Sequence, residues 1–402
     1  MQPQNNRQRI AFVTGGLKLG GSTTFLCNLG GELVRRGLKC AVFSFEKENP
    51  LATDFTRLGI DVFVQDESRT IWEDSVSAIL RGLADYNPTS IVANLGPSSF
   101  EVLRYVPTGI KRVGIIHSDD VKVYRLVTRY RQWLDAFVGV SSHIVEQLGA
   151  IPEIASMEMH CLTCGVGIPS DQPTRFLQSD DLMRIIYLGR LDHDAKRVRI
   201  FPDILKTLAA SGVPFHWSIV GDGPERGFLE KEMTSSHAGQ TIKLTGRVAY
   251  ERIPELLQSH HILLLTSDYE GLPLSLLEAM ACGLVPVVSD LPSGIREVVD
   301  TSNGILVPVN DIEGYSRGIL HLLGHREEWC AKSDAARARV QAEFSTQAIA
   351  PRWLEVLAHN SDITPQWSPR HKIDAPLSDK WTPLFWPPLR PVRRLMRLRR
   401  RQ

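Results

Sequence analysis

Two basic side chains stand where a short apolar run ends, in the stretch YLGRLDHDAKRV. Arg190 closes a predicted strand, and Lys196 follows six residues later in a loop. Ligands of parallel sheets bind outside the carboxyl ends of the strands, so two cations at that edge can clamp a diphosphate. The competing interpretation is two solvated surface charges. Asp192-His193-Asp194 resembles a D-x-D metal motif, but a three-residue motif arises often by chance.

Two glutamates mark a second stretch, SDYEGLPLSLLEAMACGLVPVVSD. Pro273 is predicted as the first helical residue and Gly283 as the end of the helix. Glu270 then lies in the loop before the helix, where it can accept hydrogen bonds from sugar hydroxyls. Glu278 lies about a turn and a half inside the helix and can accept them from a ribose diol. Ordinary surface glutamates are the alternative, but Glu278 has apolar neighbours, among which a carboxylate needs a partner.

A glycine-rich turn, TGGLKLGGSTTF, follows the first predicted strand. From Gly16 its glycines match those of a P-loop, but Ser22 stands where the phosphate-binding lysine would be. The dinucleotide fingerprint G-x-G-x-x-G is also absent, because the glycines come as adjacent pairs. Backbone N–H groups between a strand and a helix favour an anion. A flexible turn without a ligand is an equal alternative.

The rest of the chain alternates short apolar runs with amphipathic stretches, which predicts parallel sheets covered on both faces by helices. The pattern restarts after about residue 170, so two α/β units fit the 402 residues better than one long sheet. We expect an N-terminal unit over 1–165, a hinge over 166–180 and a second unit over 181–340. A late helix within 341–358 would pack back on the N-terminal unit, and a tail rich in Pro, Trp and Arg covers 359–402.

Composition narrows the class of protein further. The first residues lack an apolar signal-peptide core, and no run reaches the ~18 apolar residues of a membrane span. The Cys161-x-x-Cys164 pair lacks the second pair of ligands that a zinc site needs. A reduced, cytoplasmic setting without a metal fits best. The net charge is +1, yet seven arginines lie within 390–401. Together with the tryptophans of the tail they suit an anionic membrane surface, or else a solvated end.

These stretches occur together in an order that resembles the GT-B-fold, retaining glycosyltransferases of family 4. The resemblance runs from about residue 9 to 358. The motifs that carry it, in order, are the two glycine pairs, VGVSSHIVEQL, CGVGIP, YLGRLDHDAK, IVGDGPE, LTGRV, EGLPLSLLEAMACGLVPVV and NGILVP. Each motif alone is weak, and the ordered set is highly specific.

The resemblance implies two Rossmann-like α/β/α domains facing each other across a cleft, with the acceptor side in the first and the donor side in the second. It implies transfer of a sugar from a UDP- or GDP-sugar to a glycan, lipid-linked or small-molecule acceptor. Bacterial polysaccharide or glycoconjugate synthesis, without a metal or other cofactor, is the expected setting. We expect a cytoplasmic enzyme, peripheral on the inner face of the membrane if the tail binds lipid, and no nucleic-acid partner. The oligomeric state is open.

The resemblance also implies roles for individual residues. The expected catalytic set is His117 near the reacting sugar, Arg190 and Lys196 on the donor diphosphate, and Glu270 on the donor sugar. Glu278 would bind the nucleotide ribose. The remaining contacts are backbone N–H groups at Gly271, Leu272 and Leu274 for the phosphate, the segment Gly246, Arg247 and Val248 for the base, the glycines Gly16, Gly20 and Gly21 under the diphosphate, and Asp119 and Asp120 on the acceptor side.

Two departures from the family pattern stand out. Arg197 occupies a position where a glycine often follows the lysine, and HSDD adds two acids beside His117. Three alternatives to a transferase remain open at this point. They are a nucleotide-sugar epimerase or hydrolase of the same fold, a non-catalytic nucleotide-sugar-binding module, and nucleic-acid binding through the arginine-rich tail.

Overall fold

A computed structural model describes residues 8–18, 20–46, 49–64, 72–94, 96–170, 182–233, 240–358, 363–368 and 373. The chain divides into two compact units. Unit 1 comprises Met1–Val140, Ile144–Cys164 and Ile349–Gln402, and unit 2 comprises Ser141–His143 and Gly165–Ala348. Residues 171–180 of the predicted hinge and most of the predicted tail lie outside the described residues.

Unit 1 is built on a seven-stranded parallel sheet in the order β3-β2-β1-β4-β5-β6-β7. Its strands are β1 Arg9–Thr14, β2 Lys39–Ser44, β3 Asp61–Val64, β4 Ser90–Asn94, β5 Lys111–Ile116, β6 Ala136–Gly139 and β7 Glu158–Cys161. The helices between them are α1 Gly21–Arg35, α2 Ala52–Arg57, α3 Trp72–Tyr86, α4 Pro97–Val102, α5 Val121–Tyr130 and α6 Ser142–Gly149. The central strands are continuous apolar runs because helices cover both faces of the sheet.

Unit 2 repeats this plan with a six-stranded parallel sheet in the order β10-β9-β8-β11-β12-β13. Its strands are β8 Met183–Leu188, β9 Phe215–Val220, β10 Gln240–Gly246, β11 Ile262–Leu265, β12 Val285–Ser289 and β13 Ile305–Val307. Its helices are α7 Phe201–Ala210, α8 Arg226–Met233, α9 Ile253–Gln258, α10 Leu274–Ala281, α11 Gly294–Val298, α12 Ile312–Gly324 and α13 Arg326–Arg339. The predicted α/β class with two parallel sheets is confirmed.

The last helix, α14 Thr346–Leu357, is reached from α13 through a π-helical turn, Val340–Phe344. From Ile349 onward its residues belong to unit 1. The fully buried indole of Trp353 donates to the carbonyl of Thr163 at 2.7 Å, and Ser90 Oγ donates to the carbonyl of Leu357 at 2.8 Å. The C-terminal helix is thereby tied to the start of β4. Within the described residues, no helix combines the length and apolar character needed to cross a membrane.

Each sheet has one point where the strand order reverses, between β1 and β4 in unit 1 and between β8 and β11 in unit 2. The loops that leave two such strands diverge to opposite faces of the sheet. The crevice between them is where open α/β sheets bind ligands. These two switch points decide where the predicted site residues come together.

Candidate functional site

The loop after β8 is shaped by a buried aspartate. Asp192 Oδ1 accepts hydrogen bonds from the backbone N–H groups of Ala195 at 2.9 Å and Lys196 at 3.3 Å. The loop after β11 is bonded to it, because Thr266 Oγ1 donates to the carbonyl of Lys196 at 2.8 Å and the N–H of Asp268 donates to the carbonyl of Ala195 at 2.9 Å. Two loops about 70 residues apart in sequence are therefore held side by side at the switch point of unit 2.

This pairing of loops brings Lys196 and Glu270 together. Lys196 Nζ forms an ion pair with Glu270 Oε1, and Ser267 Oγ donates to the same oxygen at 2.7 Å. The side chains are 22% and 11% exposed, so the pair is half-buried at the base of the crevice. Arg190 points outward, with 67% of its side chain exposed, and its Nη2 lies 2.5 Å from Asp192 Oδ2. Each of the two predicted diphosphate cations is thus paired with a carboxylate of the chain.

The start of α10 presents unpaired backbone donors at the same edge of the sheet. In the described part of the chain, the N–H groups of Gly271, Leu272 and Leu274 have no hydrogen-bond acceptor. Pro273 has extended backbone angles, φ −67° and ψ 120°, so the helix begins at Leu274 and the prediction of Pro273 as its first residue is wrong by one position. Gly283 ends the helix at φ 78°, as predicted. Free N–H groups at a helix start attract an anion.

Glu278 lies on α10 between fully buried apolar neighbours. Leu277 and Ala279 are completely buried, and the Glu278 side chain is half-buried with no hydrogen-bond or ion-pair partner among the described residues. Desolvation by burial raises the pKa of this carboxyl from 4.5 to about 8. Among the described residues the group therefore lacks the partner that a buried carboxylate needs, and a ligand could supply it.

At the same edge of the sheet, the ends of β9 and β10 are held together by backbone contacts. Gly221, just after β9, has φ 143°, and a Cβ there would lie 1.8 Å from the carbonyl oxygen of Gly189. Only glycine fits this close approach. The N–H of Gly221 donates to the carbonyl of Gly246, the last residue of β10, at 2.8 Å. Arg247 and Val248 directly follow the strand. The Arg247 side chain is 67% exposed, and its Nε lies 3.3 Å from Asp222 Oδ2.

The switch point of unit 1 carries uncharged side chains. Asn94, at the end of β4, donates from Nδ2 to Thr14 Oγ1 at 3.4 Å, and its Oδ1 lies 2.5 Å from His117 Nε2. Because the amide oxygen accepts, Nε2 carries the ring proton and Nδ1 keeps its lone pair. Desolvation by burial lowers the pKa of His117 from 6.5 to about 4. The imidazole is neutral at physiological pH, with Phe25 packed edge-on against it at 4.9 Å.

The glycine-rich loop after β1 leads directly into α1. The carbonyl of Gly20 accepts from the N–H groups of Thr23 and Thr24, both at 3.1 Å. Cβ atoms at Gly20 and Gly21 would meet nothing within 4 Å, whereas one at Gly16 would lie 2.8 Å from Glu46. The lysine of this loop, Lys18, lies 2.5 Å from Glu46 Oε2. The backbone at the start of α1 therefore has open space beside Gly20 and Gly21.

The two predicted acceptor-side acids both hold local structure. Asp120 caps α5 by accepting from the N–H of Lys122 at 2.8 Å, and Asp119 accepts from the hydroxyl of Tyr124 at 2.7 Å. A capping carboxylate stabilises its helix whether or not it meets a substrate. Their role toward an acceptor stays a prediction.

Comparisons with known proteins bear on the family and the fold of the chain. Residues 183–325, most of unit 2, match the family model described as glycosyl transferases group 1. The amylovoran biosynthesis glycosyltransferase AmsK of Erwinia amylovora is 33% identical over 179 residues, 43% of this chain and 43% of that protein. The putative colanic acid biosynthesis glycosyltransferase WcaL of Salmonella typhimurium is 26% identical over 323 residues, 74% of this chain and 75% of its own length.

Over these regions the chain is similar to the group 1 glycosyltransferases. Solved structures agree at the level of the fold. TarM superposes with a TM-score of 0.71 at 12% identity, covering 87% of this chain and 99% of that one. HepE of Anabaena, solved with UDP-glucose, superposes with a TM-score of 0.70 at 18% identity and the same coverage. The predicted GT-B family and fold are confirmed.

In this chain the predicted residues fall into two groups. Lys196, Glu270 and the N–H groups at the start of α10 are gathered at the switch point of unit 2. His117 and the glycine loop belong to unit 1. Within the described residues, no group of three or more His, Cys, Asp or Glu side chains is arranged to hold a metal ion.

The sequence reasoning missed two residues that organise these groups. Asn94 determines which ring nitrogen of His117 carries the proton, and Asp268 pairs with Arg197 beside Glu270. A polar residue directly after a buried strand is the signal that could have found both, since each stands at or just beyond a strand end.

Proposed function

We propose that this group 1 glycosyltransferase moves a sugar from a nucleotide diphosphate sugar to a glycan, lipid-linked or small-molecule acceptor, with retention of the anomeric configuration. The observation that carries the proposal is the cluster of Lys196, Glu270 and free N–H groups at one switch point. It offers a cation, a sugar-facing carboxylate and anion-binding dipoles within one crevice. UDP and GDP are the expected nucleotides. AmsK is named for amylovoran biosynthesis and WcaL, as a putative enzyme, for colanic acid biosynthesis, and these names favour bacterial polysaccharide synthesis as the setting.

The chemistry follows from where charge develops. As the bond between the anomeric carbon and the phosphate oxygen breaks, negative charge grows on the diphosphate. Lys196, Arg190 and the start of α10 would stabilise that charge, and fixed groups of this kind do so without reorganisation. In this scheme they supply the positive charge that a metal supplies in other transferases.

Retention is proposed to proceed by attack from the same face as the leaving group. The acceptor oxygen bonds to the anomeric carbon, and its proton passes to the departing phosphate oxygen. The neutral imidazole of His117, with its Nδ1 lone pair, suits a hydrogen bond from a sugar hydroxyl rather than a contact with the phosphate. Glu278 would bind the ribose diol, which supplies the partner that its buried carboxyl lacks.

A screen of nucleotide sugars tests this proposal. Thermal shift with UDP, GDP and their glucose, galactose, mannose and N-acetylglucosamine forms identifies the donor, and release of the nucleoside diphosphate reports turnover. With the donor alone, the protein should release nucleoside diphosphate slowly and should form no rearranged sugar. A rearranged sugar would show an epimerase instead, and rapid release without acceptor would show a hydrolase. If no nucleotide sugar shifts the melting temperature or is turned over, the proposal is wrong.

The site of action is proposed to be the cytoplasmic face of the membrane. The arginine- and tryptophan-rich segment 380–402 lies outside the described residues, so its support is its composition alone. Sedimentation with anionic vesicles, with the whole chain and with a chain ending at residue 379, tests this. Equal sedimentation of the two chains would remove the tail from the proposal.

A further inference from the structure

Arg197, directly after Lys196, has a backbone conformation that is unfavourable for arginine. Its φ of 52° and ψ of 34° lie in the left-handed region. Only two other non-glycine residues in the described part of the chain have a positive φ, Asn87 and Asn310, and asparagine tolerates it. Glycine would adopt this turn freely. The arginine side chain must therefore contribute something that glycine would not.

The guanidinium bonds the second loop of the site. Arg197 Nη1 lies 3.0 Å from both carboxylate oxygens of Asp268, which stands two residues before Glu270. The two side chains are 21% and 33% exposed, so the pair is shielded from most of the solvent. Together with the backbone bond from Asp268 to Ala195, it fixes the loop after β8 to the loop after β11 on either side of Lys196.

This pair differs from the other two ion pairs of the crevice. Lys196 is paired with Glu270 and Arg190 with Asp192, and both cations must turn from their carboxylates toward a diphosphate when a donor binds. The charges of Arg197 and Asp268 both act on the pKa of Tyr315, which is fully buried on α12. Arg197 and Asp268 therefore lie close to Tyr315, on the buried side of the two loops.

We propose that Arg197 is a positioning residue, whose bond to Asp268 keeps the two loops in register while Lys196 exchanges Glu270 for the donor diphosphate. The inference rests on the proposed function for its kinetic readout. Without the pair, release of Lys196 from Glu270 would leave the loops joined by fewer bonds, and donor affinity would fall because the loops must be reordered on binding.

The variant Arg197→Gly separates this role from a structural one. Glycine relieves the backbone strain and removes the guanidinium, so the melting temperature should stay at or above that of the wild type. Donor KM should nevertheless rise about tenfold with kcat changed less. Asp268→Asn should raise donor KM similarly, and the double variant should be no worse than either single variant, because both remove the same bond. Arg199→Ala is the matched control, since Arg199 pairs with Glu225 in the same segment without touching Asp268.

Hydrogen exchange gives a second readout that needs no donor. Amides of residues 266–270 should exchange faster in Arg197→Gly than in the wild type, and Arg199→Ala should leave them unchanged. Faster exchange in a protein that binds no nucleotide sugar would reject the proposed function while supporting the link between the loops. Unchanged donor KM and unchanged exchange in Arg197→Gly would overturn the inference. So would a double variant whose loss equals the product of the two single losses.

Discussion

The two switch points of the protein carry side chains of different polarity. In unit 2 the loops after β8 and β11 carry full charges, and every cation among Arg190, Lys196 and Arg197 is paired with a carboxylate. In unit 1 the corresponding strand ends carry Thr14, Asn94 and a neutral His117, linked by hydrogen bonds. Charges suit a diphosphate, and neutral groups suit sugar hydroxyls. Under the proposed function, the charged groups of unit 2 would act on the leaving diphosphate and the neutral groups of unit 1 on sugar hydroxyls.

Among the variants that test this comparison, Lys196→Ala should lower turnover most. Removing the half-buried cation should lower turnover about 100- to 1,000-fold, because the leaving diphosphate loses a fixed charge in the transition state. Release of nucleoside diphosphate measures the loss. Lys206→Ala, an exposed lysine on α7, is the control and should change turnover less than twofold. Equal turnover in Lys196→Ala and Lys206→Ala would show that the charged switch point does not act on the leaving group.

Asn94→Asp should convert the neutral switch point into a charged one. A carboxylate beside His117 would favour the imidazolium and raise the ring's pKa above its present value of about 4. We expect a roughly 10- to 100-fold loss of turnover near pH 7, with partial recovery as the pH rises and the ring loses its proton. A pH–rate profile of wild type and variant measures this. An unchanged profile would mean that the charge state of His117 is irrelevant to turnover.

The lowered pKa of His117 also predicts how the free energy of unfolding depends on pH. The folded pKa is depressed from 6.5 to about 4, so the unfolded chain binds the proton more tightly. The contribution to the unfolding free energy is therefore fully present above pH 6.5 and is lost as the pH falls toward 4, by at most about 1.4 kcal/mol per pH unit. Urea unfolding of wild type and His117→Gln between pH 4 and 7 measures it. The variant should lose less stability over that window.

The sequence predicted the strands and loops that carry the candidate donor residues because the signals for them are local. The central strands are continuous apolar runs. Arg190 and Glu270 lie two and five residues beyond the ends of β8 and β11, and Glu278 lies in the helix that follows β11. The edge strands β3 and β7 were not predicted, because β3 is largely exposed, β7 is only partly buried, and neither is a continuous apolar run. The partners of His117 and Arg197 were not predicted for another reason. Asn94 and Asp268 are 23 and 71 residues away, and only the sheet order brings them near.

Glu278 should make nucleotide binding depend on pH. Its pKa of about 8 means that the carboxyl is mostly protonated at pH 7, whereas two ribose hydroxyls donate best to the carboxylate. Affinity should therefore rise with pH between about 6 and 8, by up to tenfold per unit, and binding should release a proton. Calorimetry in two buffers of different ionisation enthalpy measures the proton. Glu278→Gln should abolish the dependence, and a wild-type affinity that is flat with pH would remove Glu278 from the ribose site.

The variant Gly21→Val tests whether the backbone at the start of α1 in unit 1 contacts a ligand. A Cβ at Gly21 would meet nothing within 4 Å, and its φ is not positive, so valine should fit without loss of fold. If the donor diphosphate approaches this backbone, the added methyl groups should occupy its place and lower turnover several-fold, with donor KM raised. Gly149→Val is the matched control, because Gly149 ends α6 with equally open space around it. Equal kinetics for the two variants would make the glycine loop a simple turn, and the diphosphate would then be held by unit 2 alone.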